Sequence, residues 1–474
     1  MFDAYVRFRA RVRPQALAII APQRWATYGE LDRDVDRIGL ALAGLGVAPG
    51  LGIGAVQIAD HYLKHVVILA LARLGVTSAT ASDPSPDFWL SDRETLDDPR
   101  RVRLTEDWFA AALAAEVSPD QLPAVERTPD QIGRVLLSSG TVGPPRRIAQ
   151  TWRAIEGNAR LAATTYLSGK DGRWIPFTGF DTSLGQSTTA AAWAVGATAV
   201  VGMRGDSLAE QLDALRPSVL ALVPSHLRQL LADLPMGFPF QAGLRVVTTG
   251  SILPLNVAET ARLRLTSDLQ IVYGASECGV AAVADAAMLG QFNTLMGAPV
   301  PGTRVEVVDS EGHALPPGVQ GELRISGERV AKGYLGDPDA SARVFRHGGF
   351  YPGDLGRILP DGQLALDGRA DERMNLGGHK FLPNLWETAA LTCPGVVDCA
   401  AFAVPDPQGI EACWLAVVRG PGFDRDQLSS ILKGARLPEV RFAWSEAIPR
   451  NAMGKIERER LRRETMAVLG LPPA

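Results

Sequence analysis

The sequence predicts an α/β protein: a large N-terminal domain with parallel-rich sheets and a small β-rich subdomain, followed by a small α+β C-terminal domain. Three observations point there. Short β-branched runs lead into longer segments in "SVLALVPSHLRQLLADL" (218–234), "LRVVTTGSILPLNVAETARLRL" (244–265) and "LQIVYGASECG" (269–279), the rhythm of strand–helix units around a parallel sheet. From "GAPVPG" (297–302) onward, short strands and glycine turns recur through "VEVVDSEGHALPPGVQGELRIS" to "GQLALDGRADE", which predicts small antiparallel units. After Arg369 the text is mixed again, with strand-like "DCAAFAV" and "ACWLAVV", a helix at "DRDQLSSILKGA" and a basic tail "GKIERERLRRE". A boundary near Asp371 divides the chain into 1–370 and 371–474, leaving a C-terminal domain of about a hundred residues, an ordinary domain size.

Composition bounds the function classes. With 474 residues, 46% hydrophobic and 21% charged, the chain has ample core for two domains. A net charge of -4 favours neither nucleic acid nor an anionic membrane surface as partner. Cys278, Cys393, Cys399 and Cys413 match no paired metal-ligand spacing and are too sparse for a disulfide scaffold, so a cytoplasmic location is expected. Arginines at 7, 9, 11 and 13 precede a stretch broken by Pro14, Pro22 and Arg24, a poor signal peptide, and the apolar run 66–72 is too short to span a bilayer.

Along the chain, the first segment suited to chemistry is "LLSSGTVGPPRR" (136–147), at the carboxyl end of the strand-like "RVLLS". Ligands gather at that end of strands in α/β sheets. A strand feeding a loop of Gly, Ser and Thr can aim backbone N–H groups and hydroxyls at phosphate oxygens, with Arg146 and Arg147 adding charge. No Gly-Lys-Ser/Thr follows, so it is not a Walker A loop. On its own the segment reads equally as an anion cradle or a surface turn.

Read with the rest of the chain, it resembles the adenylate-forming superfamily of acyl-CoA synthetases, luciferases and peptide-synthetase adenylation domains. "ATYGELDRDVDRIGLALAGLGVAPG" (26–50) is similar to the family's opening Thr-Tyr-x-Glu-Leu helix, and 136–147 to its Ser-Gly-Thr-Thr-Gly-x-Pro-Lys phosphate loop. "VYGASECG" resembles the Tyr-Gly-x-Thr-Glu motif and "GELRISGERVAKGYLGDP" the Gly-Glu-Leu segment. "FYPGDLGRI", "LDGRADERMNLGGHKF" and "PRNAMGKIERERL" follow in the usual order, so the likeness runs almost end to end.

The resemblance implies two steps: a carboxylate attacks the α-phosphate of ATP to give an acyl-adenylate and pyrophosphate, then a thiol takes the acyl group. Ser138, Ser139, Gly140, Thr141, Val142 and Gly143, with Arg146, would hold the β and γ phosphates. Glu277 would be the Mg2+ carboxylate, or else a solvated loop residue. Thr249, Gly250 and Ser251, with Tyr273, Gly274 and Ser276, would wall the nucleotide, with Ala275 beside the acyl group. Asp354 and Arg369 would bind the ribose hydroxyls, against the bland alternative of a turn Asp and a surface Arg. Lys455 would bridge carboxylate and α-phosphate, rather than being a solvated tail lysine. Asp371 matches the hinge position of a mobile C-terminal domain. Rotation there would exchange the Lys455 loop for the "NLGGHK" face, with Gly377 and Gly378 beside the thiol's route and Lys380 at the nucleotide.

The departures narrow the substrate. Arg146 stands where relatives carry lysine, Trp152 where many carry histidine, and Lys380 where arginine is common. "PFTGFDTSLG" (176–185) lacks the histidine of an acyl gate. Its Phe180 and Asp181 resemble a Phe-Asp-x-Ser stretch whose aspartate pairs with a substrate ammonium, while the residues themselves favour Asp181 as a helix cap. "GDSLAEQL" (205–212) mimics a phosphopantetheine attachment site, but Asp206 or Ser207 as N-cap explains it better. The expectation is an ATP- and Mg2+-dependent carboxylate–CoA ligase for a fatty or aromatic acid, monomeric or homodimeric. The alternatives are an adenylation enzyme loading an amino or aryl acid onto a separate carrier protein's phosphopantetheine, and a non-catalytic nucleotide-binding relative.

Overall fold

The computed structural model describes residues 2–94, 98–118, 121–122, 125–138, 145–202, 208–290, 294–405, 410–451 and 454–471. The strand–helix rhythm of 218–265 folds as expected. Strands Val219–Leu222 and Arg245–Thr248 are each followed by a helix, Pro224–Asp233 and Leu255–Arg264. They lie in a run of parallel neighbours from Leu17–Ile20 through Thr198–Val200, Arg173–Pro176, Val219–Leu222 and Arg245–Thr248 to Asp268–Ala275. Those strands are apolar on both faces, as a sheet covered on both sides requires.

At Asp268–Ala275 the sheet changes character. That strand is followed by an antiparallel partner, Gly279–Asp285, rather than by the helix its spacing suggests. Gly279 makes the reversal at φ +66°, and the "VAAVAD" run after it is apolar enough to pair in the sheet interior. Antiparallel pairing continues through Leu295–Pro299, Leu364–Arg369, Asp354–Ile358 and Gly321–Gly327, the β-rich portion foreseen after residue 297.

A second, six-stranded sheet runs Arg101–Arg103, Phe88–Ser91, Ile53–Gln57, Thr77–Ala79, Ile132–Leu137, Arg147–Thr151, parallel except for its last pair. Residues 136–147 therefore connect a hairpin. The Ser138 N–H donates to the Arg146 carbonyl at 2.8 Å and the Arg146 N–H to Ser138 Oγ at 2.9 Å, closing the loop's base.

Helix Tyr28–Gly44 begins where "TYGEL" implies. Thr27 accepts from the Glu30 N–H while the Glu30 carboxylate accepts from the Thr27 N–H, a capping box worth about 1 kcal/mol. The apolar run 66–72 is the buried middle of helix His61–Arg73. No helix among the described residues is long and apolar enough to cross a membrane. All four cysteines are buried and free.

The C-terminal portion is smaller. Strands Val396–Pro405 and Glu411–Arg419 pair antiparallel, and Val440–Trp444 adds parallel to the second. Helices Asn384–Ala390 and Arg425–Gly434 supply Trp386, Leu428 and Leu432 to the core on one face, and Arg458–Val468 supplies Leu461 and Met466 on the other. It has its own apolar clusters, separate from the two large ones in the rest of the chain.

One sequence expectation is revised at a helix terminus, and another falls outside the described residues. Helix Ser183–Val195 is capped by Thr182, whose hydroxyl accepts from the Gly185 N–H at 3.0 Å, so Asp181 is not the cap. Helix Leu208–Leu215 starts just after Asp206 and Ser207, which lie outside the described residues.

Candidate active site

One cavity of about 780 Å³ lies where the parallel strands end and the C-terminal portion meets them. Its wall gathers Thr249, Gly250 and Ser251 from the turn after Arg245–Thr248, and Tyr273 to Glu277 from the end of Asp268–Ala275. Asp354 and Arg369 come from paired antiparallel strands, and Lys455 from the loop before the last helix. Ser138 and Arg146, the two ends of the phosphate-loop candidate, line it as well. Ser139, Gly140, Thr141, Val142 and Gly143 lie outside the described residues.

Hydrogen bonds fix the walls. Thr249 Oγ1 donates to the Val272 carbonyl at 2.7 Å, tying the turn to the next strand. Tyr273 Oη donates to Asp354 Oδ2 at 2.6 Å. Arg369 bridges Asp354 Oδ1 at 3.4 Å and the Asp371 carboxylate at 2.9–3.0 Å, and also donates to the Pro352 carbonyl at 2.8 Å. Burial raises the Asp354 carboxyl above its usual range, against the opposing pull of Arg369 and the Tyr273 hydroxyl. An acceptor and a fork of donors side by side suit two adjacent hydroxyls.

Glu277 is only 8% exposed. Tyr334 Oη donates to its Oε1 at 2.9 Å. Burial raises this carboxyl too, and the Tyr334 hydrogen bond, Lys455 and Arg146 each pull it back down. The charge of Lys455 favours the ionised form of both Glu277 and Asp354. No ion-pair partner holds it among the described residues. Arg146 places its guanidinium 5.3 Å from the Tyr334 ring centre, and Arg147 is committed elsewhere, 2.9 Å from Asp83.

Among the described residues no cluster of three metal-ligating side chains occurs. One buried carboxylate facing a cavity fits a hard cation that keeps most of its shell as water and phosphate oxygens, the habit of Mg2+, and not one caged by protein.

Several candidates from the sequence lie elsewhere. Phe180 is 5% exposed and packs edge-on against Phe2 and His65, so it is core and not cavity wall. Asp181 is absent from the wall and is held by Arg134 at 2.6 Å and Lys64 at 2.5 Å. Burial opposes its charge, yet those two cations keep the carboxyl below its ordinary range. Lys380 is exposed and lines a separate shallow hollow with Arg373 and Phe381. Gly377 and Gly378 form the exposed tip of the hairpin between Met374–Leu376 and His379–Phe381, outside the cavity. Trp152, at the histidine position, is 1% exposed in the core, and its ring fills the space a Cβ on Gly133 would take.

Other wall residues escaped the sequence reading. Tyr334 stands inside the "AKGYLGDP" segment, and Arg450 and Arg458 inside the tail motif, where the motif itself was the available signal. Arg228 and Asp398 form an ion pair across the cavity, joined by Arg450 at 3.0 Å from Asp398, and no local pattern announces it. Asn158 and Ser187 line the wall from two buried helices.

The family model described as "AMP-binding enzyme" matches residues 85–335, more than half of the chain. The chain belongs to the AMP-binding enzyme family. This AMP-binding enzyme is 28% identical to the fatty acid–[acyl-carrier-protein] ligase ScoC of Streptomyces coeruleorubidus, over 96% of its own length and 94% of that protein's. It is 27% identical to the 3-hydroxybenzoate–CoA ligase of Aromatoleum sp. (strain CIB), over 94% and 92% of the two chains. Its fold is also that of the anthranilate CoA ligase AuaEII, solved in complex with anthranoyl-AMP, with a TM-score of 0.86, 20% identity and coverage of 99% and 98%.

Proposed function

We propose that this AMP-forming ligase joins a fatty or aromatic carboxylic acid to the thiol of coenzyme A through an acyl-adenylate. The observation behind the proposal is the convergence of Glu277, Asp354, Arg369 and Lys455, from four distant stretches of sequence, on one cavity. In the first step a carboxylate oxygen attacks the α-phosphorus of ATP and the bond to the β-phosphate oxygen breaks, releasing pyrophosphate. In the second the thiol sulfur attacks the acyl carbonyl, the bond to AMP breaks, and the thiol proton is lost.

Each residue has a task set by charge. Lys455 offsets the repulsion between the incoming carboxylate and the α-phosphate, where loss of one such donor typically slows the step by about 10²–10³-fold. Asp354 and Arg369 hold the ribose diol, while Thr249 to Ser251 and Tyr273 to Ser276 bound the base and sugar. Ala275 sits at the junction with the acyl end. Ser138 to Gly143 and Arg146 take the β and γ phosphates. Glu277 would hold a Mg2+ ion, which would neutralise phosphate charge. Residues 371–474 turn about Asp371 between the steps, bringing Gly377 and Gly378, with Lys380, toward the cavity in place of Lys455.

A carrier-protein thiol is the competing acceptor, favoured by the near end-to-end likeness to an acyl-carrier-protein ligase. ATP–pyrophosphate exchange across a panel of fatty, aromatic and amino acids, followed by addition of CoA or phosphopantetheinylated carrier protein, tests both. Exchange with a fatty or aromatic acid and a CoA ester as product is the expected result. Exchange followed by transfer to the carrier alone would replace CoA as acceptor, and no exchange with any acid would overturn the proposal.

A further inference from the structure

Asn158 sits in the middle of helix Trp152–Thr164, is 6% exposed and lines the cavity. Its Oδ1 has no hydrogen-bond partner. A Cβ on Gly279 would meet that oxygen at 2.2 Å and Nδ2 at 2.8 Å, so the amide lies directly against the Gly279 backbone. Gly279 follows Glu277 by two residues and also lines the cavity, which puts the amide on the wall that continues from the proposed catalytic residues. A buried amide with an unmet acceptor is costly for a protein to keep, and a ligand that hydrogen-bonds to it repays that cost.

The surroundings define what kind of ligand group fits. Ser183, Leu184 and Ser187 from helix Ser183–Val195 line the same cavity, as does Val280, the residue after Gly279, and none of them is ionisable. Of the cavity's carboxylates, Glu277 accepts from Tyr334, Asp354 from Tyr273 and Arg369, Glu322 pairs with Arg346, Glu372 and Glu387 with Arg458, and Asp398 with Arg228 and Arg450, while Glu259 is exposed on helix Leu255–Arg264. Asp181, the carboxylate closest in sequence to this helix, holds Arg134 and Lys64 outside the wall. Neither Gly279, against the amide, nor the next residue Val280 offers an ammonium group on the acid a counter-charge, whereas a hydroxyl, oxo or uncharged amino group would find an amide able to present either its oxygen or its NH2.

We infer that the acid carries a neutral hydrogen-bonding substituent read by Asn158, and no α-ammonium group. Asn158 is thereby a specificity residue, and the inference rests on the acid-activating reading above. A site built to hydrogen-bond a substrate group discriminates strongly against the analogue that lacks it, because its own polar atoms are then left unpaired.

The test compares matched acids, such as benzoic acid with its ortho, meta and para hydroxy derivatives and medium-chain fatty acids with their hydroxylated forms. Each is assayed by ATP–pyrophosphate exchange in the wild-type enzyme, in Asn158→Leu and in Asn158→Ala. The expected wild-type preference in kcat/KM for one hydroxylated isomer over its plain parent is at least about 10-fold. That ratio should fall to near one, or invert, in Asn158→Leu, while exchange on the plain acid persists and shows the variant to be folded. Asn158→Ala supplies the same comparison if the leucine variant does not fold. An unchanged ratio in the variant, a wild-type preference for the plain acid, or a preference for α-amino acids would overturn the inference and leave acid activation standing. Absence of exchange with every acid would instead remove the acid-activating reading, and this inference with it.

Discussion

Glu277 and Tyr334 form the pair on which pH dependence turns. Burial raises the Glu277 carboxyl above the ordinary glutamate value, and the Tyr334 hydroxyl, donating to Oε1 at 2.9 Å, works against that rise. The folded carboxyl thus binds its proton more readily than the unfolded one. Its contribution to stability is present at low pH and is lost as pH rises through the folded value. On our proposal catalysis needs the opposite, an ionised carboxylate for the cation, so activity is expected to fall as pH drops through that raised value. Tyr334→Phe removes the opposing hydrogen bond, and the acid limb of the pH–rate profile for exchange is expected to move to higher pH, with less than a severalfold change on the alkaline plateau. A limb that stays in place, measured on both proteins at fixed ATP and Mg2+, would contradict the role given to Glu277. Side-chain partners of this kind are poorly legible in sequence. Asp181 reads as a cap or an ammonium ligand until Arg134 and Lys64, 47 and 117 residues away, are seen to hold it. That Glu277, Asp354, Arg369 and Lys455 meet at one cavity could be expected because each stands inside a stretch that resembles one of the family's motifs.

At the level of elements, the loop around Lys455 depends on one glycine. Gly454 has φ +74°, and a Cβ there would approach Ser225 Oγ to 2.8 Å and Val223 Cγ2 to 3.1 Å. The loop is therefore pressed onto the start of helix Pro224–Asp233, and the lysine's position follows from that contact. Gly454→Ala should push the loop away and lower adenylate formation by about 100-fold, since an ångström of misplacement is enough for a loss of that size. Transfer from supplied acyl-adenylate should stay within a few-fold of wild type, and an equal loss in both half-reactions would refute the positioning role. Several elements were readable in advance: the helix that opens at "TYGEL", the strand–helix units of 218–265 and the short antiparallel strands after 297. The turn from Asp268–Ala275 back into Gly279–Asp285 was not, because an apolar run after a glycine suits a buried helix or a buried strand, and only its sheet neighbours decide. The hairpin that bears residues 138–146 has the same origin, a pairing between Ile132–Leu137 and Arg147–Thr151 that is invisible in either strand alone.

Across the whole molecule, the arrangement has Lys455 at the cavity while the Gly377–Gly378 hairpin tip lies exposed outside it. The Arg228–Asp398 ion pair and the Gly454 contact join the C-terminal portion to the helix after Val219–Leu222. On our proposal this is the arrangement for adenylation, and residues 371–474 must swing away for thiol transfer. The division of labour has a sharp consequence for a single variant. Lys455→Ala should be tested in both half-reactions, ATP–pyrophosphate exchange with the best acid and conversion of supplied acyl-adenylate to the CoA ester. The account predicts that exchange falls by about 10²–10³-fold while thioester formation from the adenylate stays near wild type. Equal loss of both half-reactions, or exchange at the wild-type rate, would contradict it.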